Sequence, residues 1–318
     1  MTSVSKNGWR IAVVGGVAAA ALMLAGCASG GGGDSGGSGG GIVIGTTDKV
    51  TFLDPAGSFD NGSLTVQTQV FATLMNSKPG TADVQPDLAS KAEYTTPTEY
   101  TVTLKPNLKF ANGDKLTASD VKFSFDRQLK INDPSGPSYL LANLESTDAP
   151  SDDTVVFHLK AGNDQVFPQV LSTSAGAIVD EEVFSADKVT PDKDIVKAEA
   201  FDGQYQIDSY DFNNLITFKA NPNYQGLLGA AKTSNVTQKY YTDASNLKLD
   251  VQEGNIDVAF RSLSPTDVAS LRSDTKKVQV VDGPGGEMRY IVFNFNTMPY
   301  GATQPDADAK KALSLIHI

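Results

Sequence analysis

Apolar residues recur along this chain in two periods, one typical of strands and one typical of helices. Ile42–Ile44 is a short continuous apolar run, as in a buried parallel strand. Tyr100–Lys105 and Thr154–Lys160 alternate polar and apolar positions, which predicts half-buried strands. Ser63–Met75 carries its apolar residues at helical spacing and is predicted to be a helix. Strands that alternate with helices indicate a mixed α/β domain.

Residues typical of helix ends predict three further helices. Thr117–Asp120 resembles a capping box and opens a helix in which Val121, Phe125 and Leu129 share a face. Ala244–Glu253 is predicted to be a helix that ends at Gly254, and Ser264–Pro265 is predicted to open the next one. More strands are predicted at Ile256–Phe260, Val278–Val281 and Arg289–Phe295.

The N-terminus has the pattern of an export signal. Lys6 and Arg10 precede the apolar stretch Ile11–Leu24, which is short for a transmembrane helix of roughly 20 residues. It ends in Leu24–Ala25–Gly26–Cys27, which matches the bacterial lipobox. We therefore expect residues 1–26 to be a lipoprotein signal peptide and Cys27 to carry the lipid. The alternative is a plain secretory cleavage site beside a chance cysteine.

The segment after Cys27 predicts a flexible tether. Residues 28–41 are almost entirely Gly, Ser and Ala, so they bury no apolar surface and behave as a coil. Residues 27–41 would then link a lipid to a folded domain on the outer face of the cell membrane or in the periplasm. Cys27 is the only cysteine, which excludes an intramolecular disulfide.

Composition narrows the possible partners. The chain has 318 residues, of which 40% are hydrophobic, enough for a sizeable core. Lys and Arg number 26 against 37 Asp and Glu, a net charge of −11. Phosphate recognition needs clustered basic side chains, so this balance argues against nucleic acid as a partner.

Eight short motifs follow one another along the chain between residue 42 and about 312. They are, in order, Leu53–Asp54–Pro55, Pro86–Ala89, Leu104–Phe110, Asn112–Gly113, Leu116–Ser124, Ala220–Tyr224, Gly254–Ala259 and Phe293–Asn294. Their order and spacing resemble those of the large extracellular solute-binding proteins of the oligopeptide, dipeptide and nickel class. One departure concerns Phe201–Asp202–Gly203–Gln204–Tyr205, where the family usually has Gly-Thr-Gly-Pro-Tyr and only Gly203 and Tyr205 agree.

The resemblance implies a bilobed, type II periplasmic-binding-protein fold with mixed sheets. Residues 42–277 would form the first lobe, with an inserted subdomain at about 61–170, and residues 278–312 would begin a second lobe that is largely missing. The final residues, 313–318, break the family pattern, so we expect them to be a non-native tail on a C-terminally truncated chain.

Catalytic groups are sparse. Of the two histidines, His158 lies in a predicted strand and His317 in the unusual tail. With Cys27 lipidated, nucleophilic and zinc arrangements lack support, and we expect neither a metal nor a cofactor. The adjacent carboxylates Asp152–Asp153 and Glu181–Glu182 keep a secreted glycoside hydrolase open as an alternative of another class.

Ligand contacts are expected beyond the carboxyl ends of the strands. In open α/β sheets ligands bind there, which favours Thr47 and Asp48 after the first strand. Asn294 is a further candidate, where the chain crosses between the lobes. Aromatic residues that could line a cleft are Phe59, Tyr139, Phe201 and Tyr290, and packing in the core is the favoured alternative for each of them.

The resemblance also implies a function. A monomeric protein of this class captures short peptides and delivers them to the membrane permease subunits of an ABC importer, without being an enzyme. The same fold could instead bind a nickel complex, an opine or an oligosaccharide, and the residues of this chain leave these ligands open.

Overall fold

The computed structural model describes residues 41–261 and 263–283. The strands are β1 (Ile42–Thr46), β2 (Met75–Ser77), β3 (Val84–Pro86), β4 (Ala89–Thr96), β5 (Glu99–Leu104), β6 (Leu144–Ser151), β7 (Thr154–Leu159), β8 (Tyr205–Asp211), β9 (Leu215–Ala220), β10 (Asn235–Tyr240) and β11 (Val258–Ala259). The α-helices are α1 (Asn61–Val70), α2 (Ala118–Ile131), α3 (Phe167–Val170), α4 (Asp192–Ala198), α5 (Ala244–Glu253) and α6 (Pro265–Ser273). Short 3₁₀ helices cover Ser138–Leu141 and Ser174–Gly176.

Two larger sheets organise the described chain. The first has the order β11-β1-β10-β9-β8 and is mixed: β1 runs parallel to both β10 and β11, whereas β8, β9 and β10 pair antiparallel. The second has the order β4-β5-β7-β6 and is antiparallel throughout. β2 and β3 form a separate antiparallel pair. The predicted mixed α/β fold is confirmed.

Each sheet has its own hydrophobic core. Core A takes its buried residues from positions 72–178, where α2 packs on the antiparallel sheet. Core B takes them from positions 50–71 and 177–240, under the mixed sheet. A small third cluster joins Tyr241, Leu247 and Ile256 beneath α5. The chain passes from core B into core A at residues 70–72, immediately after α1.

Most of the predicted elements that fall on described residues are confirmed. β7 buries Val155, Phe157 and Leu159 on one face, as the alternation predicts. The capping box at Thr117 is present, and α5 ends at Gly254, whose φ of 76° is accessible to glycine without strain. Ser264 caps α6 through a hydrogen bond from the Asp267 amide.

The helix predicted at Ser63–Met75 is wrong at its C-terminal end. α1 stops at Val70 because Phe71 adopts an extended conformation, and Thr73 forms a bridge to Ala177. Leu74 and Met75 are buried as their apolar character requires, but Leu74 lies in a bend and Met75 begins β2. Apolar spacing alone does not distinguish one more helical turn from a buried extended segment.

Two strand predictions near the end of the described chain also need correction. Val278–Val281 has no strand structure and lies instead along a groove beside β11 and α6. The strand predicted at Ile256–Phe260 is reduced to Val258–Ala259, since only this part pairs with β1. Arg289–Phe295 lies outside the described residues.

Candidate functional site

The parallel strands β1, β10 and β11 end at a common edge. Thr46, the last residue of β1, pairs in register with Tyr240 of β10, and Gly45 pairs with Ala259 of β11. Ligands of open α/β sheets bind beyond such carboxyl ends, because the loops that leave the strands diverge there. This edge and the loop of residues 47–60 form the candidate site.

Thr47 and Asp48 both lie at this edge, half-buried, as the sequence predicts. The Asp48 amide donates to the Thr46 hydroxyl (3.1 Å), which fixes the first turn of the loop. Arg261 follows β11 in a left-handed conformation (φ 63°) and its Nε donates to Asp48 Oδ2 at 2.8 Å. An acidic and a basic side chain therefore meet where β1 and β11 end.

Asn213, in the turn between β8 and β9, holds the next part of the loop. Its side chain accepts from the Val50 amide (2.7 Å) and donates to the Val50 carbonyl (2.9 Å). The Lys49 ammonium donates to the Asn213 carbonyl at 3.1 Å and lies 5.4 Å from the centroid of the Tyr240 ring. These contacts fasten the loop to the mixed sheet.

Two exposed aromatic rings meet beside the loop. Phe59 is 39% exposed and Tyr139 is 61% exposed, and their ring centroids are 5.9 Å apart in an edge-to-face arrangement of 89°. Phe59 precedes α1, whereas Tyr139 belongs to the 3₁₀ helix that follows α2. We call these two residues the aromatic pair. Exposed aromatic surface of this kind is suited to contact with apolar parts of a ligand.

Of the remaining predicted residues, the structure describes Phe201 alone. Phe201 is a core residue and not a cleft residue: it is 0% exposed and packs in core B with its ring centroid 5.9 Å from that of Phe71. An isolated aromatic in a sequence carries no signal that separates core from cleft. Cys27, Tyr290 and Asn294 lie outside the described residues.

Arg261 and Asn213 are the site residues that sequence reasoning missed. Arg261 directly follows the predicted strand Ile256–Phe260, so the rule that selected Thr47 and Asp48 also applies to it. Asn213 carries no comparable signal, because its role depends on how the β8–β9 turn reaches the loop across a sequence gap of 163 residues.

The two acidic pairs that could serve as hydrolase carboxylates, Asp152–Asp153 and Glu181–Glu182, lie in turns. Asp153 lies in the β6–β7 turn, and hydrogen bonds from the hydroxyls of Ser151 and Thr154 lower the pKa of its carboxyl. A general acid needs a raised pKa instead. Burial raises the pKa of Asp120 to about 6, but this carboxyl is occupied by the α2 cap and by the Glu181 amide.

His158 lies on the outer face of β7. Its Nε2 is 3.0 Å from Asp148 Oδ2 and its Nδ1 is 3.6 Å from Glu99 Oε1. Among residues 41–261 and 263–283, no group of three or more His, Cys, Asp or Glu side chains could hold a metal ion. Within the same residues, no helix is both long and apolar enough to cross a membrane.

Solved structures share this architecture. Our chain aligns with OppA from Burkholderia pseudomallei at a TM-score of 0.65 and 17% identity, covering 76% of our chain and 49% of that one. It aligns with the oligopeptide-binding protein AppA from Bacillus subtilis, solved with a nonapeptide, at a TM-score of 0.58 and 23% identity, covering 69% and 43%. The fold is that of the type II periplasmic binding proteins.

Sequence comparison defines the family within this class. Residues 83–316 match the family described as "Bacterial extracellular solute-binding proteins, family 5 Middle". The chain is also 30% identical over 282 residues to the "Probable D,D-dipeptide-binding periplasmic protein DdpA" of Escherichia coli K12, which covers 86% of this chain and 52% of that protein. The chain therefore belongs to family 5 of the bacterial extracellular solute-binding proteins, and it spans about half the length of this relative.

Proposed function

We propose that this protein captures short peptides outside the cytoplasm, while anchored to the membrane through a lipid on Cys27, and delivers them to an ABC importer. Family membership supports the general role of a solute-binding protein for ABC import. The descriptions of DdpA and AppA refer to dipeptide and oligopeptide binding, which favours a peptide over the other solutes.

The observation that carries this proposal is the composition of the strand edge. A short peptide presents charged termini, polar main-chain groups and variable apolar side chains. The Asp48–Arg261 ion pair provides both signs of charge at the strand ends, and the aromatic pair provides apolar surface further along the same loop. We infer that the charged and aromatic groups contact different parts of one ligand.

Binding without turnover is part of the proposal. DdpA and AppA are described as binding proteins, and the Asp153 carboxyl has a lowered pKa, which does not suit an acid catalyst. Closure around the ligand would depend on the ligand having a higher affinity for the closed state than for the open one. A solved structure of the same fold holds mannopinic acid, so a ligand of that kind is the competing candidate.

Calorimetry with defined ligands tests the proposal. The protein, expressed from its complete gene, is titrated with trialanine, mannopinic acid and maltose. We expect trialanine to bind, and Phe59→Ala to weaken it by about tenfold, the loss typical of an aromatic contact. Leu249→Ala, which truncates an exposed apolar side chain on α5, is the matched control and should leave the affinity unchanged. Binding of mannopinic acid or maltose in place of trialanine would reject the peptide assignment.

A further inference from the structure

The Leu53–Asp54–Pro55 motif places a carboxylate in the interior, where it meets an arginine. The side chains of Asp54 and Arg127 are 0% and 2% exposed. Arg127 Nη1 donates to Asp54 Oδ1 at 3.0 Å and Nη2 donates to Asp54 Oδ2 at 2.8 Å. This bidentate geometry is specific to the planar guanidinium group, and a lysine ammonium cannot reproduce it.

Further hydrogen bonds complete the pair. Asp54 Oδ2 also accepts from the Thr190 amide (2.7 Å), and Arg127 Nε donates to the Ser185 carbonyl (2.9 Å). The guanidinium carbon lies 5.4 Å from the centroid of the Phe184 ring. The backbone of segment 184–190 therefore hydrogen-bonds to both side chains. Each buried charge thus has a polar partner in addition to the other charge.

The pair joins the two segments that carry the aromatic pair. Asp54 and Phe59 belong to the same loop, and α2, which carries Arg127, leads directly into the segment of Tyr139. These segments also meet at Gly136, where a Cβ would lie 2.2 Å from the Ala56 carbonyl oxygen, so only glycine fits. The Ala56 amide in turn donates to Asp54 Oδ1 at 2.9 Å.

The loop has its own internal contacts, but these do not reach Tyr139. The Ser58 hydroxyl donates to the Phe52 carbonyl (3.0 Å), and Gln67 Nε2 donates to Ser58 Oγ (2.8 Å). Both bonds tie the loop to itself or to α1. The bidentate bond between Asp54 and Arg127 and the close approach at Gly136 link the loop directly to α2 and to the segment that follows it.

We propose that Asp54 and Arg127 are positioning residues that set the distance between Phe59 and Tyr139, and thereby the shape of the apolar part of the ligand site. Neither residue touches the ligand. The proposal rests on the proposed function in taking the aromatic pair as ligand-contacting surface, but the geometric claim holds or fails in the ligand-free protein.

A single tryptophan can report the position of the loop. Trp9 is the only tryptophan of the chain. In the full chain with Trp9→Phe and Phe59→Trp, the fluorescence of the introduced indole reports on the aromatic pair alone. Acrylamide quenching then measures the access of solvent to this ring, and Tyr139→Ala in the same background shows the signal of a ring that has lost its neighbour.

The variants separate positioning from stability. Arg127→Gln leaves a lone buried carboxylate and can fail to fold, so the double variant Asp54→Asn/Arg127→Gln, which removes both charges, is the main test. Arg127→Lys keeps the charge and loses the bidentate geometry. Val155→Ala, a fully buried truncation in β7, is the control for lost core packing. Each variant is compared well below its own melting temperature.

We expect the quenching constant of the introduced indole to rise toward the Tyr139→Ala value in the double variant and in Arg127→Lys, and to stay unchanged in Val155→Ala. In Arg127→Lys the displaced loop should gain at least about tenfold in population, because the loss of a hydrogen bond between charged groups costs at least one tenfold step in an equilibrium constant. An unchanged quenching constant in a folded double variant overturns the proposal, as does an equal rise in Val155→Ala.

Calorimetry with trialanine distinguishes this result from the proposed function. The quenching constant of the introduced indole can rise in the double variant while the wild-type protein does not bind trialanine. In that case the positioning role stands and the peptide assignment fails. If the wild type binds trialanine, the double variant should lose about tenfold in affinity, as Phe59→Ala does.

Discussion

Asp202 is a buried carboxyl at the point where the chain passes between the two cores. Its Oδ1 accepts from the Ala72 amide (3.0 Å), and its own amide donates to the Val70 carbonyl (3.1 Å). Its Oδ2 is buried and has no hydrogen-bond partner among residues 41–261 and 263–283. Burial raises the pKa of Asp202 well above its usual value, and the carboxylates of Asp87 and Asp120 raise it further.

This raised pKa predicts a pH dependence of stability. In the unfolded chain the Asp202 carboxyl loses its proton at about pH 3.9, whereas in the folded protein it keeps the proton to higher pH. Between the pKa of the unfolded chain and the higher pKa of the folded protein, the folded state binds more protons than the unfolded state. The free energy of unfolding therefore falls as pH rises through this range. Urea denaturation at pH 4, 5.5 and 7 should show a smaller fall for Asp202→Asn than for the wild type.

The control for this prediction is Asp208→Asn, which removes an exposed carboxylate on β8. It should retain the wild-type dependence. Part of the fall will remain in Asp202→Asn, because burial also raises the pKa of Asp120 to about 6 and raises that of Asp180. Identical pH profiles for the wild type and Asp202→Asn would show that the Asp202 carboxyl does not retain its proton in the folded protein.

Two residues of the segment 201–205, one that agrees with the family pattern and one that departs from it, have a structural explanation. Gly203 agrees with the family pattern, and a Cβ there would lie 2.4 Å from the Gln69 carbonyl oxygen, which leaves no room for a side chain. Asp202 departs from the pattern and accepts the amide hydrogen bond described above. The close approach at Gly203 and the burial of Asp202 both depend on α1 packing nearby, which residue patterns do not encode.

At the scale of elements, α2 is capped at both ends. The Thr117 hydroxyl accepts from the Ser119 amide (3.2 Å), and Asp120 Oδ2 accepts from the Thr117 amide (2.8 Å). At the other end Asn132 adopts a left-handed conformation (φ 44°), which ends the helix before Pro134. α2 therefore presents Arg127 to Asp54 from a helix fixed at both ends.

Thr117→Ala should destabilise the protein by about 1 kcal/mol, the usual cost of losing an N-cap side chain. Thr117→Ser keeps the hydroxyl and should restore most of this loss. The measurement is the free energy of unfolding from urea titrations with matched slopes. Equal stability of Thr117→Ala and the wild type would mean that water replaces the cap without cost.

Elements with strong local signals were predicted well, and those held by tertiary pairing were not. β5, β7, α2, α5 and α6 have clear periodicity or caps. β6 (Leu144–Ser151) is instead a largely polar sequence that includes Pro150, and it pairs with β7 through two register shifts. Nothing local marks it as a strand, because polar residues and proline are both uncommon within strands.

The candidate site was predicted in part for the same reason. Thr47 and Asp48 follow from the position of β1 alone, because a strand's carboxyl end can be located from its sequence. The contact between Phe59 and Tyr139 depends on the Asp54–Arg127 pair, which joins residues 73 positions apart. A single sequence read by itself carries no signal for such long-range contacts.

At the scale of the whole molecule, the proposed lipid anchor would hold the protein at the membrane, outside the cytoplasm, where it captures its ligand. The basic start, the apolar stretch and Leu24–Cys27 together favour lipid attachment at Cys27. Cys27→Ala should therefore move the protein from the membrane fraction to the soluble fraction of the host cell. Incorporation of labelled fatty acid measures the modification directly. Cys27→Ala that still takes up the label would contradict the anchor.

The central claim is that the protein binds short peptides and does not cleave them. Mass spectrometry of the protein expressed from its complete gene, first under native conditions and then after denaturation, identifies the ligand that co-purifies with it. The account predicts a bound short peptide whose mass is unchanged after prolonged incubation with excess protein. Recovery of a sugar, an opine or a metal complex, or the release of peptide fragments, would contradict it.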